Sequence, residues 1–187
     1  MAETAALLWD EVFPDVPLRQ WVISFPFPLR YLFAAHPHAM ARVLGIVHRA
    51  ISTHLLHKGG LQLNDGATGA VTLIQRFGSA LNLNIHFHIL FLDGVYVCRD
   101  DRPPRFQRVK APANSELEAL VQLISQRAGR CLKRQGLLEQ DVENAWLELE
   151  PADDNDAMPQ IVGSSVSYRI AIGPQQGRIG IKPADYA

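Results

Sequence analysis

The sequence predicts an α+β domain, with an antiparallel sheet flanked by helices on one face. Three observations predict it. Apolar residues alternate with period two in the middle of the chain, across short connections. Two long stretches instead repeat apolar residues at steps of three and four. The two kinds of segment come in blocks rather than in strict βαβ alternation, which favours hairpin pairing over a parallel sheet. With 187 residues, 48% hydrophobic and 20% charged, the chain is long and apolar enough for one globular domain spanning residues 1–187.

The elements follow in order. Arg19 to Phe25, "RQWVISF", is short, aromatic and β-branched, and reads as a strand closed by the prolines of "PFP". From Pro37 to Lys58, Met40, Val43, Leu44, Val47, Ile51 and Leu55 mark an amphipathic helix stopped by Gly59-Gly60. Gly69 to Phe77 and Leu83 to Leu92 read as strands. Asp93-Gly94 is the strongest short hairpin signal in the chain, and "VYVC" follows it, so three consecutive strands are expected to form a meander. Asp100 to Pro112 is charged and proline-rich and reads as a loop. Asn114 to Gln135 is a second amphipathic helix, with Asn114 or Ser115 as N-cap and Gly136 past its end. A short helix is expected over Glu139 to Leu149, then an acidic linker "EPADDNDAMP", and a strand over Ser165 to Ile172.

Charge and cysteine content exclude several classes. Formal net charge is −1, but the first 110 residues hold 11 Lys/Arg against 8 Asp/Glu and the rest 7 against 11. A mildly basic first part suits an anionic partner. Cys98 and Cys131, the only two cysteines, form no disulfide framework and no zinc-ligand spacing, and point to a reducing, cytoplasmic setting. "MAETAALLWDEVFPD" lacks the charged start and apolar core of a signal peptide, and no apolar run approaches the roughly 18 residues of a membrane span.

The chemistry concentrates in "NLNIHFHIL", Asn82 to Leu90. Residues two apart in a strand share a face, so His86 and His88 point the same way, about 7 Å apart by strand rise. Phe87 points to the other face with Ile85, Ile89 and Phe91. Two imidazoles on a rigid strand are a start for a divalent-metal site. In the preceding strand Val71, Leu73 and Gln75 share one face, and the amide oxygen of Gln75 suits a hard cation as third ligand. Asn84 is the alternative third ligand. His48, His54 and His57 on the long helix, and His36 and His38 at its start, read as a solvated helix surface. Arg99, Arg102, Arg105, Arg108 and Lys110 form a basic stretch that reads either as a phosphate-contacting loop or as a solvated one partly neutralised by Asp100 and Asp101.

The string "TGAVTLIQRFGSALNLNIHFHILFLDGVYV" resembles the core of the HUH (two-tyrosine) transposases of rolling-circle insertion sequences, in which His86-Phe87-His88 takes the place of the His-hydrophobic-His motif. "RQWVISFPFPLRYLFAAHP" and "VHRAISTHL" resemble the segment before that core, and "SYRIAIGPQQGR" the segment after it. The resemblance runs from about Pro17 to Arg178, leaving residues 179–187 as a non-matching tail. It implies an HUH endonuclease-like (ferredoxin-like) core in which the two histidines help hold a divalent cation, Mg or Mn. It also implies single-stranded DNA at element ends as substrate, and a tyrosine that attacks the scissile phosphate to leave a 5′-phosphotyrosine. The four tyrosines Tyr31, Tyr96, Tyr168 and Tyr186 lack the family's spacing of a few residues on one helix. The cysteine-rich module that opens family members has no counterpart either. The expectation is therefore a single partial transposase domain, truncated at both ends, that keeps the metal half of the site and is inactive alone. The alternatives are a non-catalytic DNA-binding module, which could compete with a transposase homologue, and a degenerate remnant.

Overall fold

Residues 7–78, 83–99, 102–140 and 145–147 are described by the structure, a computed structural model. After a π turn at Leu8–Val12, strand β1 (Leu18–Ser24) leads into helices α1 (Phe27–Ala35) and α2 (Pro37–Lys58). Strands β2 (Gly66–Ala67), β3 (Ala70–Phe77), β4 (Leu83–Leu92), β5 (Gly94–Arg99) and β6 (Arg102–Arg108) follow. Helix α3 (Asn114–Arg134) and the short hairpin β7 (Leu138–Gln140) and β8 (Ala145–Leu147) complete the described chain. The fold is α+β with antiparallel sheets and flanking helices.

β4 is the central strand of the first sheet, in the order β1-β4-β3, and both of its pairings are antiparallel. Its burial alternates along its length: Ile85, Phe87, Ile89 and Phe91 are buried, while Asn84, His86, His88 and Leu90 on the opposite face are half-buried. The buried face carries the core. Phe25 meets Phe33 of α1 and Phe87 of β4 edge-on, each with ring centroids 5.0 Å apart. Val43, Val47, Ala50, Ile51 and Leu55 supply the apolar stripe of α2 to the same cluster. α3 buries Leu120, Ile124, Ala128 and Leu132 and packs chiefly on α2 and β7, so the helices stack in depth behind one face of the sheet.

α2 runs over the residues its periodicity predicts, and Gly60, at φ 75°, ends it in the left-handed conformation that favours glycine. β4 likewise covers the expected residues. Five expectations are corrected. The prolines of "PFP" do not merely close β1: Pro28 lies in the first turn of α1, where its missing N–H has no intrahelical partner to lose. The second correction concerns Asp93-Gly94, which is not a hairpin. It is the point at which one continuous path leaves the first sheet for a second, ordered β2-β5-β6. Gly94 lacks the positive φ of the favoured two-residue turn; among the described glycines only Gly60 and Gly136 have it. Its missing side chain serves close approach instead, since a Cβ there would fall 2.3 Å from the Gln107 carbonyl oxygen. Asp93 is buried and holds the bend, accepting from Arg19 Nε at 2.6 Å and from Arg108 Nε at 3.3 Å.

Third, the hairpin occurs later, inside the charged stretch read as a loop: β5 pairs with β6, with Arg99 opposite Arg102. β6 is an edge strand, where Pro103 and Pro104 need break no ladder on their outer side. Fourth, Leu138–Gln140 and Ala145–Leu147 pair as strands rather than forming a helix. The N-cap of α3 is Ala113, one residue earlier than expected, and its N–H donates to the Glu116 carboxylate at 2.6 Å. The acidic linker and the strand expected at Ser165 to Ile172 lie outside the described residues. Among the described residues no helix is long and apolar enough to cross a membrane.

Candidate functional site

The face of β4 that carries the histidines is the one the helices leave uncovered. His86 and His88 sit side by side on it, with ring centroids 4.8 Å apart and ring planes at 67°. The neighbouring strands complete two rows across the sheet. Ser24 of β1 and Gln75 of β3 stand opposite His86, and Val22 and Leu73 stand opposite His88. Directly opposed residues share a face at Cβ separations of about 5 Å, so Gln75 is next to His86. The row is open to solvent: Val22 is 54% and Leu73 49% exposed.

Hydrogen bonding orients both rings. His86 Nδ1 lies 2.7 Å from the Asn84 carbonyl oxygen. A carbonyl only accepts, so Nδ1 carries the proton and Nε2 presents its lone pair, the form in which imidazole binds a metal. The second partner that usually holds a ligating histidine is thus supplied by its own strand. His88 Nδ1 lies 2.8 Å from Gln20 Nε2, an arrangement in which the amide donates and Nε2 of the ring keeps the proton. Turning the Gln20 amide over presents its oxygen to Nδ1–H and frees the second Nε2. Gln75 Nε2 donates to the Phe77 carbonyl at 3.1 Å, which leaves its amide oxygen for another partner.

Among the described residues, no group of three His, Cys, Asp or Glu side chains forms a metal cluster. Beyond the imidazole pair, the strands bring the amides of Gln75, Asn84 and Gln20 and the hydroxyl of Ser24 to the same face. The residues present fit a cation held by two imidazoles and an amide oxygen, with open positions toward solvent. That donor set suits Mn more than Mg, which prefers oxygen ligands throughout.

Sequence reasoning missed Gln20 and Ser24. Their signal was present in "RQWVIS", where Gln20, Val22 and Ser24 share one face by alternation. What the sequence does not carry is that β1 pairs with β4. It also misread two histidines. His48 is not on a solvated surface: its Nε2 is 2.7 Å from Thr72 Oγ1, its ring packs on Phe91 at 5.4 Å, and burial lowers its pKa. In His54 burial also lowers the pKa, and its Nε2 is buried with no hydrogen-bond partner among the described residues.

The basic residues expected to contact phosphate are not on this face. Arg102, Arg105 and Arg108 lie along β6 and Lys110 just beyond it, all exposed, and the backbone of Arg99 ends β5. A register shift in the β5–β6 pairing leaves Arg102 opposite Arg99 and Arg105 opposite Val97, on one face of the hairpin, whereas Arg108 stands opposite Gly94 and is engaged by Asp93. Of the tyrosines, Tyr31 is on α1 behind the sheet and packs against the core, and Tyr96 on β5 meets Phe106 at 5.4 Å. Tyr168 and Tyr186 lie outside the described residues.

An antiparallel sheet covered by helices on one side, with a half-buried histidine pair on the other, defines a class of α+β domain that offers polar chemistry on an open sheet surface. A family model described as "Putative transposase" matches residues 69–165, more than half of the chain and the part that contains β3, β4 and the histidine pair. The chain belongs to this transposase family, whose process is DNA transposition. No curated protein is similar enough to the chain to count as a match.

Proposed function

We propose that this chain carries the metal half of an HUH-type, rolling-circle transposase site acting on single-stranded DNA. The observation that carries the reading is the pairing of His86 and His88 on an open sheet face, with Gln75 directly opposite His86. Family membership supports transposition as the process, and the half-buried, strand-fixed setting of the two imidazoles supports metal-assisted phosphodiester chemistry. His86 Nε2, His88 Nε2 and the Gln75 amide oxygen are the ligands in this reading. What a divalent cation supplies when bound there is Lewis-acid polarisation of a phosphate oxygen. The chain's own contribution is placement. The Asn84 carbonyl fixes the His86 tautomer, Gln20 fixes the His88 ring, and the two flanking strands set the row in which a phosphate is presented. Arg102, Arg105 and Lys110, exposed on and beside the β6 edge, are proposed as backbone contacts along the strand path. Tyr31 and Tyr96 are both packed into the fold, so neither is assigned the nucleophile.

The test compares binding of a fluorescent single-stranded oligonucleotide with and without Mn²⁺, in the wild type and in His86→Ala and His88→Ala. The reading expects Mn²⁺ to tighten binding in the wild type and to leave both variants unchanged. DNA affinity that ignores Mn²⁺ in the wild type would favour a second reading, a DNA-binding module without chemistry, for which the exposed cations of β6 suffice.

A further inference from the structure

A second cationic surface lies in the helical layers, on elements other than β4 and β6. A groove of about 530 Å³ between α2 and α3 is lined by Arg49 of α2 and by Arg127, Arg130, Lys133 and Arg134 of α3, over an apolar floor at Ile46. No carboxylate lines it among the described residues. The sequence explains why: α2 has no Asp or Glu anywhere in its 22 residues, and the only acids of α3, Glu116 and Glu118, are in its first turn and a half. Glu116 is moreover engaged by Lys58.

A surface helix ordinarily interleaves its cations with acids three or four residues away, which gains a few tenths of a kcal/mol per pair. Here none of the five cations has an acidic partner among the described residues; the guanidinium Nε groups of Arg130 and Arg134 donate only to the carbonyls of Gln126 and Arg130 on their own helix. Lys133 and Arg134 have a structural explanation, since cations in a last turn complement the helix dipole. Arg49, Arg127 and Arg130 have none: they are away from any helix end that would favour them, and no acid among the described residues compensates their mutual repulsion. A polyanion relieves that repulsion. Arg127, Arg130 and Arg134 follow one another at steps of three and four, a row about 10 Å long at 1.5 Å per residue. That matches about three phosphates at roughly 3.4 Å of axis each along one strand.

We infer that the α2–α3 groove is a phosphate-backbone binding surface for DNA, separate from the histidine face. His48 of α2 hydrogen-bonds Thr72 and packs against the Phe91 ring at a tilt, so α2 lies against the face of the sheet opposite His86 and His88. The groove therefore grips DNA at a place the imidazole pair does not reach, which makes it an anchor rather than part of the reacting centre. The inference rests on the proposed function only in taking DNA as the anion.

The experiment measures DNA affinity of the full chain against salt concentration, with a duplex and a single strand of equal length as separate arms and no divalent metal present. The triple variant Arg49→Gln, Arg127→Gln, Arg130→Gln leaves the last turn of α3 intact, and the single variants Arg127→Gln and Arg130→Gln guard against a folding defect in the triple. The slope of log affinity against log salt is expected to fall by about 0.9 per cation removed for duplex, or about 0.7 for a single strand, and the arm that shows the fall identifies the form of DNA held. If the wild type binds DNA and none of the three variants changes the slope in either arm, the groove is not a DNA surface while the proposed function stands. If the wild type binds neither form of DNA without metal, the groove is not a DNA surface, and the proposed function stands or falls by its own Mn²⁺ comparison.

Discussion

Replacing Phe87 by alanine should separate the two faces of β4. The ring is fully buried, on the central strand of the sheet, with Ile23 and Ile74 opposite it on either side and the Phe25 ring edge-on at 5.0 Å. Removing a buried phenyl ring costs about 3–5 kcal/mol, the spread depending on how far the surroundings collapse. Here the backbone on both sides is fixed by ladder hydrogen bonds, so collapse is limited and the upper half of that range, about 4–5 kcal/mol, applies. For a protein of this size each kcal/mol moves the midpoint by roughly 2–4 °C, so Tm should fall by about 10–15 °C. His86→Ala and His88→Ala, one residue away on either side, should each change stability by no more than about 0.5 kcal/mol. Each removes a half-exposed ring whose single hydrogen bond water can replace. The assay is urea unfolding followed by far-UV circular dichroism, with the slope against denaturant checked for constancy. A Phe87→Ala midpoint within 1 kcal/mol of wild type, or a histidine variant costing more than 2, would refute the assignment of folding to one face and chemistry to the other.

Three further outcomes follow from the packing. Gly94→Ala places a Cβ 2.3 Å from the Gln107 carbonyl oxygen and 2.6 Å from the Phe106 ring, so it should push β6 off β5; loss of hydrogen-exchange protection confined to residues 94–109 is expected, and unchanged protection there would show the approach is not tight. The Glu116 carboxyl is held below its ordinary value by the hydrogen bond from Lys58 and then by the Ala113 N–H. Because its folded pKa is depressed, its contribution to stability is complete above the ordinary carboxylate value and is lost as pH falls through the folded one. The stability gap between wild type and Glu116→Gln should accordingly close on acidification, and a gap independent of pH would contradict the pairing of α2 with α3 through this residue. His48 is depressed by burial, so the unfolded chain takes up its proton first, and stability should decline as pH drops below 6.5; His48→Gln should flatten that decline, measured as the unfolding free energy between pH 7 and 5.

What was legible in the sequence is what a single strand or helix encodes by itself. The alternation in "NIHFHIL" put Phe87 inside and both histidines outside, and the spacing of Met40 to Leu55 bounded α2 to the residue. Asp93-Gly94 shows the limit. The dipeptide fits a tight turn locally, and only the distant partners Arg19, Arg108 and Gln107 show that the carboxylate ties a bend and the glycine makes room for a neighbouring strand. The prolines of β6 mislead for the same reason, since an edge strand tolerates them and edge position is a property of the whole sheet. The site was half legible. Its two imidazoles and Gln75 follow from alternation, whereas Gln20 and Ser24 come from β1, some 60 residues upstream, and join only through strand pairing. His48 and His54 were placed on a solvated face because helical periodicity alone does not reveal that Thr72 and Phe91 lie against His48.

The most direct test of the central claim is a titration of the chain with Mn²⁺, following loss of the free-ion electron paramagnetic resonance signal, in the wild type and in His86→Ala, His88→Ala and Gln75→Ala. One bound ion per chain in the wild type, lost with either histidine and weakened with Gln75, is the result expected. Binding of equal strength in the wild type and both histidine variants would show that the imidazole pair is not the metal site.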